Sequence, residues 1–234
     1  MDELADITRR RAAYRQVAAE NPGLFTNPAG AAFQILLDES EIREAEEHMA
    51  SRLTAVGAPA EWANVGVAFR DQYTLILRDA VRFADGSLGT YIRMINPMPG
   101  SVGVVILPVW QGNVLLIRHF RHATRSWHIE IPRGFGFSRN KWHDARRELT
   151  EEISGEGVQL TDLGEMYPDT GAGSGKVALF YAELESYGRP EEIEGIAEVL
   201  PTPVHEFEQM IRDGVLEDGY LLAAYARAKA RMLI

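Results

Sequence analysis

Three glutamates in the segment Arg147-Glu148-Leu149-Thr150-Glu151-Glu152 stand at i, i+3 and i+4, the spacing that puts side chains on one face of a helix. Leu149 and Ile153 then mark the opposite, core-facing side. Like charges so placed destabilise a helix by roughly 0.2–0.5 kcal/mol per pair, so a bound cation is a natural reason for the pattern. Arg147 offsets part of the repulsion through Glu151, four residues on. Oxygen-only ligands suit hard cations, Mg²⁺ or Mn²⁺, which keep several waters and share coordination with substrate phosphates. A solvated acidic helix face is the other reading of these residues, and spacing alone does not separate the two.

The flanking residues narrow the choice. Glu130-Ile131-Pro132-Arg133-Gly134-Phe135-Gly136 follows a strand expected over Trp127 to Ile131 and leads through a loop into the acidic helix. Gly134 and Gly136 would let this loop pass close to a substrate. Upstream, Arg118, Arg121 and Arg125 supply the positive charge that an acidic protein needs to attract a nucleotide, and a guanidinium fork suits phosphate oxygens. A charged strand end is the competing reading of the three arginines. Gly171 to Lys176 is not a phosphate loop, because Thr170 replaces the required glycine and Val177 replaces the Ser or Thr after the lysine. His119 and His122 form no multi-histidine ligand pattern and are assigned to packing or substrate contact. Asp144 is read as a solvated side chain, and Trp110, Trp127 and Trp142 as core.

A Glu-x-Pro-x-Gly loop leading into Arg-Glu-Leu-x-Glu-Glu resembles the Nudix box, and the stretch from Val65 to Ile234 resembles the ADP-ribose pyrophosphatase branch of the Nudix hydrolase superfamily. The resemblance implies that Glu148 and Glu152 ligate metal, with Glu151 as a third or bridging carboxylate. It adds the backbone carbonyl of Arg133 as a further ligand, and Arg147 as the residue that orients the carboxylates. Arg118-His119-Phe120-Arg121 resembles the branch's Gln-aromatic-Arg stretch, in which the arginine, here Arg121, meets the substrate diphosphate. Arg118, Arg125 and Glu130 complete the implied substrate-binding set. Tyr167-Pro168-Asp169-Thr170-Gly171 resembles the branch's Tyr-Pro-Ser-Pro-Gly loop. The acidic run Glu191-Glu192-Ile193-Glu194 precedes a strand, as does the loop carrying the family's catalytic glutamate. Glu194 is the first choice for that base and Glu192 the second, with Glu152 also in the catalytic set.

The implied activity is Mg²⁺-dependent hydrolysis of a nucleoside diphosphate linked to another group, ADP-ribose giving AMP and ribose 5-phosphate. The implied assembly is a homodimer that exchanges strands within Tyr73 to Ile95. The match has departures: the loop after Gly134 is one residue short, Asn140 or Arg139 replaces the early box glutamate, and Ser154 replaces the late glycine. Gly155 is expected to supply the left-handed helix cap in its place. These departures keep two alternatives open, a Nudix-fold sensor that binds a nucleotide sugar without cleaving it and a pyrophosphatase for another NDP-sugar. A mixed-sheet scaffold with a merely solvated acidic helix is the third.

The elements that must position these residues follow from periodicity. Helical spacing marks Glu3 to Glu20 and about Glu39 to Leu53, and Pro22 and Gly23 end the first stretch. Strand patterns cover Val65 to Phe69, Tyr73 to Phe83 and Leu88 to Ile95, with Asp85-Gly86 as a hairpin turn. Further strands are expected over Val102 to Trp110, Val114 to Phe120, Val158 to Met166, Val177 to Leu184 and Ile196 to Leu200. Helices are expected over Lys141 to Ser154, Val204 to Arg212 and Leu221 to Met232. The fold class is therefore α/β (α+β), a mixed sheet between helices, for which the resemblance implies the Nudix fold. Residues 1–60 read as a helical extension, 61–97 as a β-rich region with dimer-forming strands, and 98–234 as the Nudix domain.

A chain of 234 residues that is 46% hydrophobic can bury a sizeable core. Its net charge of −10 opposes general nucleic-acid binding, which depends on Lys and Arg neutralising phosphates. The lack of cysteine excludes disulfides and thiolate metal sites and fits a reducing, cytoplasmic setting. No apolar run approaches the roughly 18 residues of a membrane helix.

Overall fold

The computed structural model describes residues 3–96, 98 and 100–234, leaving aside the side chains of residues 3–5 and 192. It divides into two compact units, one from the described parts of Met1–Met98 with Asp169–Ser174, the other from those of Pro99–Pro168 and Gly175–Ile234. No helix among the described residues is long and apolar enough to cross a membrane.

The first unit contains α1 (Glu3–Glu20), β1 (Gln34–Leu36), α2 (Glu39–Ala55), β2 (Gly66–Arg70), β3 (Leu75–Arg82) and β4 (Leu88–Ile95). Asp38 starts α2 by accepting hydrogen bonds from the amides of Ser40 and Glu41, which satisfies donors that the first turn leaves unpaired. Central β3 pairs antiparallel with β1, β2 and β4. Tyr14 and Val17 of α1 and Ile42 and Ala45 of α2 share one core with Leu75 and Leu77 of the sheet. Helices and strands that the sequence separates at residue 60 thus build a single unit, and β1 lies inside the stretch read as helical. Residues 169–174 join it through hydrogen bonds from Met94 N–H to the Ala172 carbonyl at 2.8 Å and from Ser174 N–H to the Met94 carbonyl at 3.0 Å.

The second unit holds β5 (Gly103–Trp110), β6 (Asn113–Arg121), β7 (Ser126–Glu130), β8 (Arg133–Gly134), α3 (Lys141–Ile153), β9 (Gln159–Met166), β10 (Val177–Glu183), β11 (Ile196–Pro203), α4 (Val204–Arg212) and α5 (Gly219–Ala230). Its sheet runs β11-β6-β5-β10-β9, with β7 added to β6 and β8 to β5. The β5–β10 pair is parallel and the other pairs are antiparallel. Helices cover both faces. Ala145, Leu149 and Ile153 of α3 pack on Val104, Ile106, Leu115 and Ile117, while Phe207 of α4 and Leu221 and Ala224 of α5 pack on Val105, Leu107, Val114 and Leu116. Strands buried on two faces need unbroken apolar runs, which is why Val104 to Leu107 and Val114 to Ile117 do not alternate with polar residues. The expected mixed sheet between helices is the architecture observed.

One irregularity of this sheet makes room for chemistry. Strands β5 and β6 pair only at Val109/Val114 and Trp110/Asn113, beside their turn. Beyond that they part, β6 taking β7 (Ile117 opposite Glu130) and β5 taking β8 (Val104 opposite Gly134). Pro132 has no amide to donate, yet its carbonyl accepts from Ile106 N–H at 2.9 Å. The segment Glu130–Gly134 is thereby wedged into the sheet, where the acidic side of α3 meets it.

Candidate active site

Helix α3 begins at Asn140, whose side chain accepts from the amides of Trp142 and His143 at 3.1 and 3.3 Å. The residue standing near the missing early glutamate is thus the helix cap. At the other end Ser154 itself adopts the left-handed conformation (φ 49°), so the cap expected of Gly155 falls one residue earlier. Gly155 instead donates its amide to the Leu149 carbonyl at 2.9 Å.

Asp144, Glu148 and Glu152 form a stripe one turn apart that is buried, Glu152 being only 2% exposed. The acidic face therefore lies under protein and does not face solvent. Asp144, read from sequence as solvated, accepts from the Ser138 amide and from Ser138 Oγ at 3.0 Å. Glu152 Oε2 accepts from Arg133 N–H at 3.0 Å. Glu148 lies over Gly134 so closely that a Cβ there would come within 1.9 Å of its Oε1. Arg147 donates to Glu148 and to Glu151, each at 2.5 Å, and to the Phe135 carbonyl at 3.1 Å. It thus ties two carboxylates to the loop, with Glu151 turned toward the guanidinium and partly exposed.

These carboxylates are electrostatically strained. Burial pushes the Glu152 pKa up to about 8, the Arg133 amide opposes the rise, and Glu148 and Glu194 add to it. Burial also raises the Glu148 pKa, with Arg147 pulling it down and Glu151 and Glu194 pushing it up. Glu194, on a loop far along the chain, is therefore within electrostatic reach of both buried glutamates. Its loop is fastened by backbone hydrogen bonds from Glu191 N–H to the Glu151 carbonyl at 2.9 Å and from Phe120 N–H to the Gly195 carbonyl at 3.0 Å. Gly195 ends the short turn Glu192–Glu194 with φ 71°, a conformation glycine adopts without penalty. The backbone of Glu192 lies in the same turn, and its side chain is outside the described residues.

Among the described residues no three His, Cys, Asp or Glu side chains are gathered to hold a metal unaided. The donor chemistry nonetheless fits Mg²⁺, which is commonly held by one or two carboxylates completed by water and substrate phosphate. Two buried carboxylates whose charged forms are disfavoured by burial, with Glu148 adding to the effect on Glu152, are what a divalent cation would stabilise.

The three arginines separate. Arg121 donates to Glu130 Oε2 through Nε at 2.8 Å and Nη2 at 2.5 Å. Arg133 reaches Glu130 Oε1 and Asp218 Oδ1, each at 3.2 Å, and lies over the Tyr220 ring. Glu130, 3% exposed, is thus the buried anchor between two guanidinium groups, and Arg121 also lowers the Glu152 pKa. Arg118 and Arg125 are not brought here. Arg118 lies over the Trp127 ring at 4.8 Å and Arg125 over the Phe120 ring at 5.3 Å. Arg118 is three residues from Arg121, so strand alternation sends it to the opposite face of β6, while Arg125 lies in the turn beyond the end of β6. Arg118→Ala and Arg125→Ala should leave KM within about threefold of wild type, whereas Arg121→Lys, which keeps the charge but loses the fork, should raise it roughly tenfold. Steady-state kinetics on the substrate proposed below checks this, and equal effects of all three would contradict it.

The sequence reading passed over Asp218, which caps α5 and pairs with Arg133. An Asp before an apolar helical run is a cap signal visible in sequence, but nothing in the sequence announces its pairing with Arg133. Tyr167 lies under Lys176 at 5.1 Å, and Asp169–Gly171 of the implied substrate loop belongs to the first unit.

No protein-family model matches the chain. No curated protein matches it either. Among solved structures it is similar to one described as a crystal structure of an ADP compounds hydrolase, with a TM-score of 0.60 over 72% of this chain and 91% of that one. At 22% sequence identity, what the two chains share is a fold.

Proposed function

We propose that the protein is a Nudix-type pyrophosphatase of the ADP-ribose pyrophosphatase branch, cleaving a nucleoside diphosphate linked to a second group, with ADP-ribose the leading substrate. The observation that carries this reading is the buried Glu148/Glu152 pair, clamped to the Arg133–Gly134 backbone and approached by Glu194. Its fold is that of a structure described as an ADP compounds hydrolase, which supports the choice of an ADP-linked substrate.

Glu148, Glu152, Glu151 and the Arg133 carbonyl would hold Mg²⁺, or Mn²⁺ in its place, which when bound neutralises charge on the diphosphate and acidifies a water. Arg121 would orient the diphosphate through donors now shared with Glu130. Arg147 holds the Glu148 and Glu151 carboxylates in place. Glu194, or Glu192 beside it, would accept a proton from the water attacking phosphorus. The P–O bond to the other phosphoryl group then breaks, giving AMP and ribose 5-phosphate from ADP-ribose.

The test is turnover of a panel of ADP-ribose, NDP-sugars and dinucleoside polyphosphates with Mg²⁺. Release of AMP from ADP-ribose, falling about a hundredfold or more in Glu194→Gln, is the expected result. No turnover of any compound would overturn the reading. Calorimetric binding of ADP-ribose without AMP release would identify the second reading, a nucleotide-sugar sensor, which the absence of a gathered three-carboxylate group among the described residues favours.

The same reading includes a homodimer through β3 and β4. Exposed Tyr91, Ile92 and Met94 on β4 support it, and sedimentation as a monomer would contradict it.

A further inference from the structure

Asp218 stands where the fold needs only a helix cap. Its carboxylate accepts from the amides of Tyr220 and Leu221 at 3.4 and 3.2 Å and so starts α5. Serine, threonine or asparagine would cap as well, so the cap explains the residue's place and not its charge. The charge meets a different element. Arg133 Nη1 of β8 donates to Asp218 Oδ1 at 3.2 Å, and the two side chains are largely buried.

The ion pair continues on the other side of Arg133. Arg133 Nη2 lies 3.2 Å from both Glu130 Oε1 and Glu130 Oε2. Oε2 is also the oxygen to which Arg121 gives Nε at 2.8 Å and Nη2 at 2.5 Å. Four groups therefore alternate in sign, Arg121, Glu130, Arg133 and Asp218, and two guanidinium groups share one buried carboxylate. That sharing depends on Arg133 having a second acceptor. Without Asp218 its Nη1 becomes a largely buried donor lacking a partner, which is costly. The Tyr220 ring, 4.7 Å from the guanidinium, keeps it beside Glu130. Arg133 would then turn both prongs onto Glu130, since guanidinium and carboxylate pair best as two parallel hydrogen bonds. The oxygen it takes is the one that Arg121 grips.

We infer that Asp218 is a positioning residue, which occupies one prong of Arg133 and so leaves Glu130 free to hold the Arg121 fork in one orientation. The consequence for substrate rests on the proposed hydrolase reading, in which Arg121 meets the diphosphate, whereas the hold on Arg121 does not.

Asp218→Ser keeps the cap and removes the acceptor, and adding Arg133→Met removes the competing guanidinium too. The Arg121 Nε–H, followed by NMR, should exchange with water about fivefold faster in Asp218→Ser than in wild type, and near the wild-type rate in the double variant. With ADP-ribose, Asp218→Ser should raise KM about fivefold with kcat within about twofold, the pattern of a lost ground-state contact. The double variant should reverse most of that rise. A role confined to the cap predicts neither shift with serine, and a cap defect would not be reversed at position 133. Asp218→Asn keeps cap and shape and removes only the charge, so it should move both readouts in the same direction by less. Unchanged Arg121 exchange in Asp218→Ser and Asp218→Asn, or an acceleration that Arg133→Met fails to reverse, would overturn the inference. Faster exchange with an unchanged or lowered KM would overturn its consequence for substrate. If the wild-type protein turns over no compound of the panel, the hydrolase reading fails, and exchange alone decides the hold on Arg121.

Discussion

Glu152→Gln is expected to abolish most of the activity while making the metal-free protein more stable at alkaline pH. Burial, the main cause, pushes the Glu152 pKa from its ordinary 4.5 up to about 8 in the folded chain. Below pH 4.5 both folded and unfolded chains carry the proton and the contribution to stability is complete. Between pH 4.5 and 8 the unfolded chain releases the proton first, so stability falls as pH rises, and above pH 8 nothing further is lost. At about 1.4 kcal/mol per pKa unit, the loss is on the order of a few kcal/mol. Glutamine does not ionise and escapes it. Metal-free Glu152→Gln should therefore melt above wild type at pH 8, by about 5–10 °C, and together with it near pH 4.5. An ordinary solvated helix carboxylate would shift stability by less than about 0.5 kcal/mol at any pH, so coincident melting curves at pH 8 would return Glu152 to that class. Activity should fall about a hundred- to thousandfold. A residue that costs the fold stability yet is required for turnover is the pattern expected of a functional site.

Gly134→Ala carries the second large effect, and Gly136→Ala is its control. At position 134 a Cβ would lie 1.9 Å from Glu148 Oε1 and 2.0 Å from its Cδ. At position 136 it would lie 2.0 Å from the Val102 carbonyl oxygen. The first clash is with the end of a side chain, which can swing away from its bond to Arg147. The second is with backbone, which cannot yield without disturbing the start of the sheet. Gly134→Ala should accordingly lose about a hundredfold in kcat, the effect of displacing a reacting group by roughly 1 Å, with a modest fall in melting temperature. Gly136→Ala should be destabilised by about 2 kcal/mol or more. Thermal melting and kcat measured on both variants separate the two roles. A Gly134→Ala variant with wild-type kcat would mean that the Glu148 position does not matter to the chemistry.

Much of the framework was legible because its signals are local. The apolar runs of β5, β6 and β10, the Asp85-Gly86 turn and the Trp142/Ala145/Leu149/Ile153 spacing each mark an element without reference to the rest of the chain. The two-residue β8 was not legible, because it exists only where β5 and β6 part, and that parting is a property of the whole sheet. The placement of several site residues depends on the whole fold in the same way. Arg118, Arg121 and Arg125 look like one cluster in a linear reading, although Arg118 is an odd number of residues from Arg121 on the strand and Arg125 lies beyond its end. Asp144 looked solvated because its partner, Ser138, is supplied by a loop whose path the sequence does not fix.

The hydrolytic reading rests on Glu148 and Glu152 acting with a divalent cation on a diphosphate, and one measurement meets it directly. AMP release from ADP-ribose is followed for wild type and Glu152→Gln, each with Mg²⁺ and with chelator. Turnover by wild type with Mg²⁺ alone, reduced at least about a hundredfold by chelator or by the substitution, is the predicted result. Equal rates in wild type and Glu152→Gln, or a wild-type rate indifferent to chelator, would contradict it.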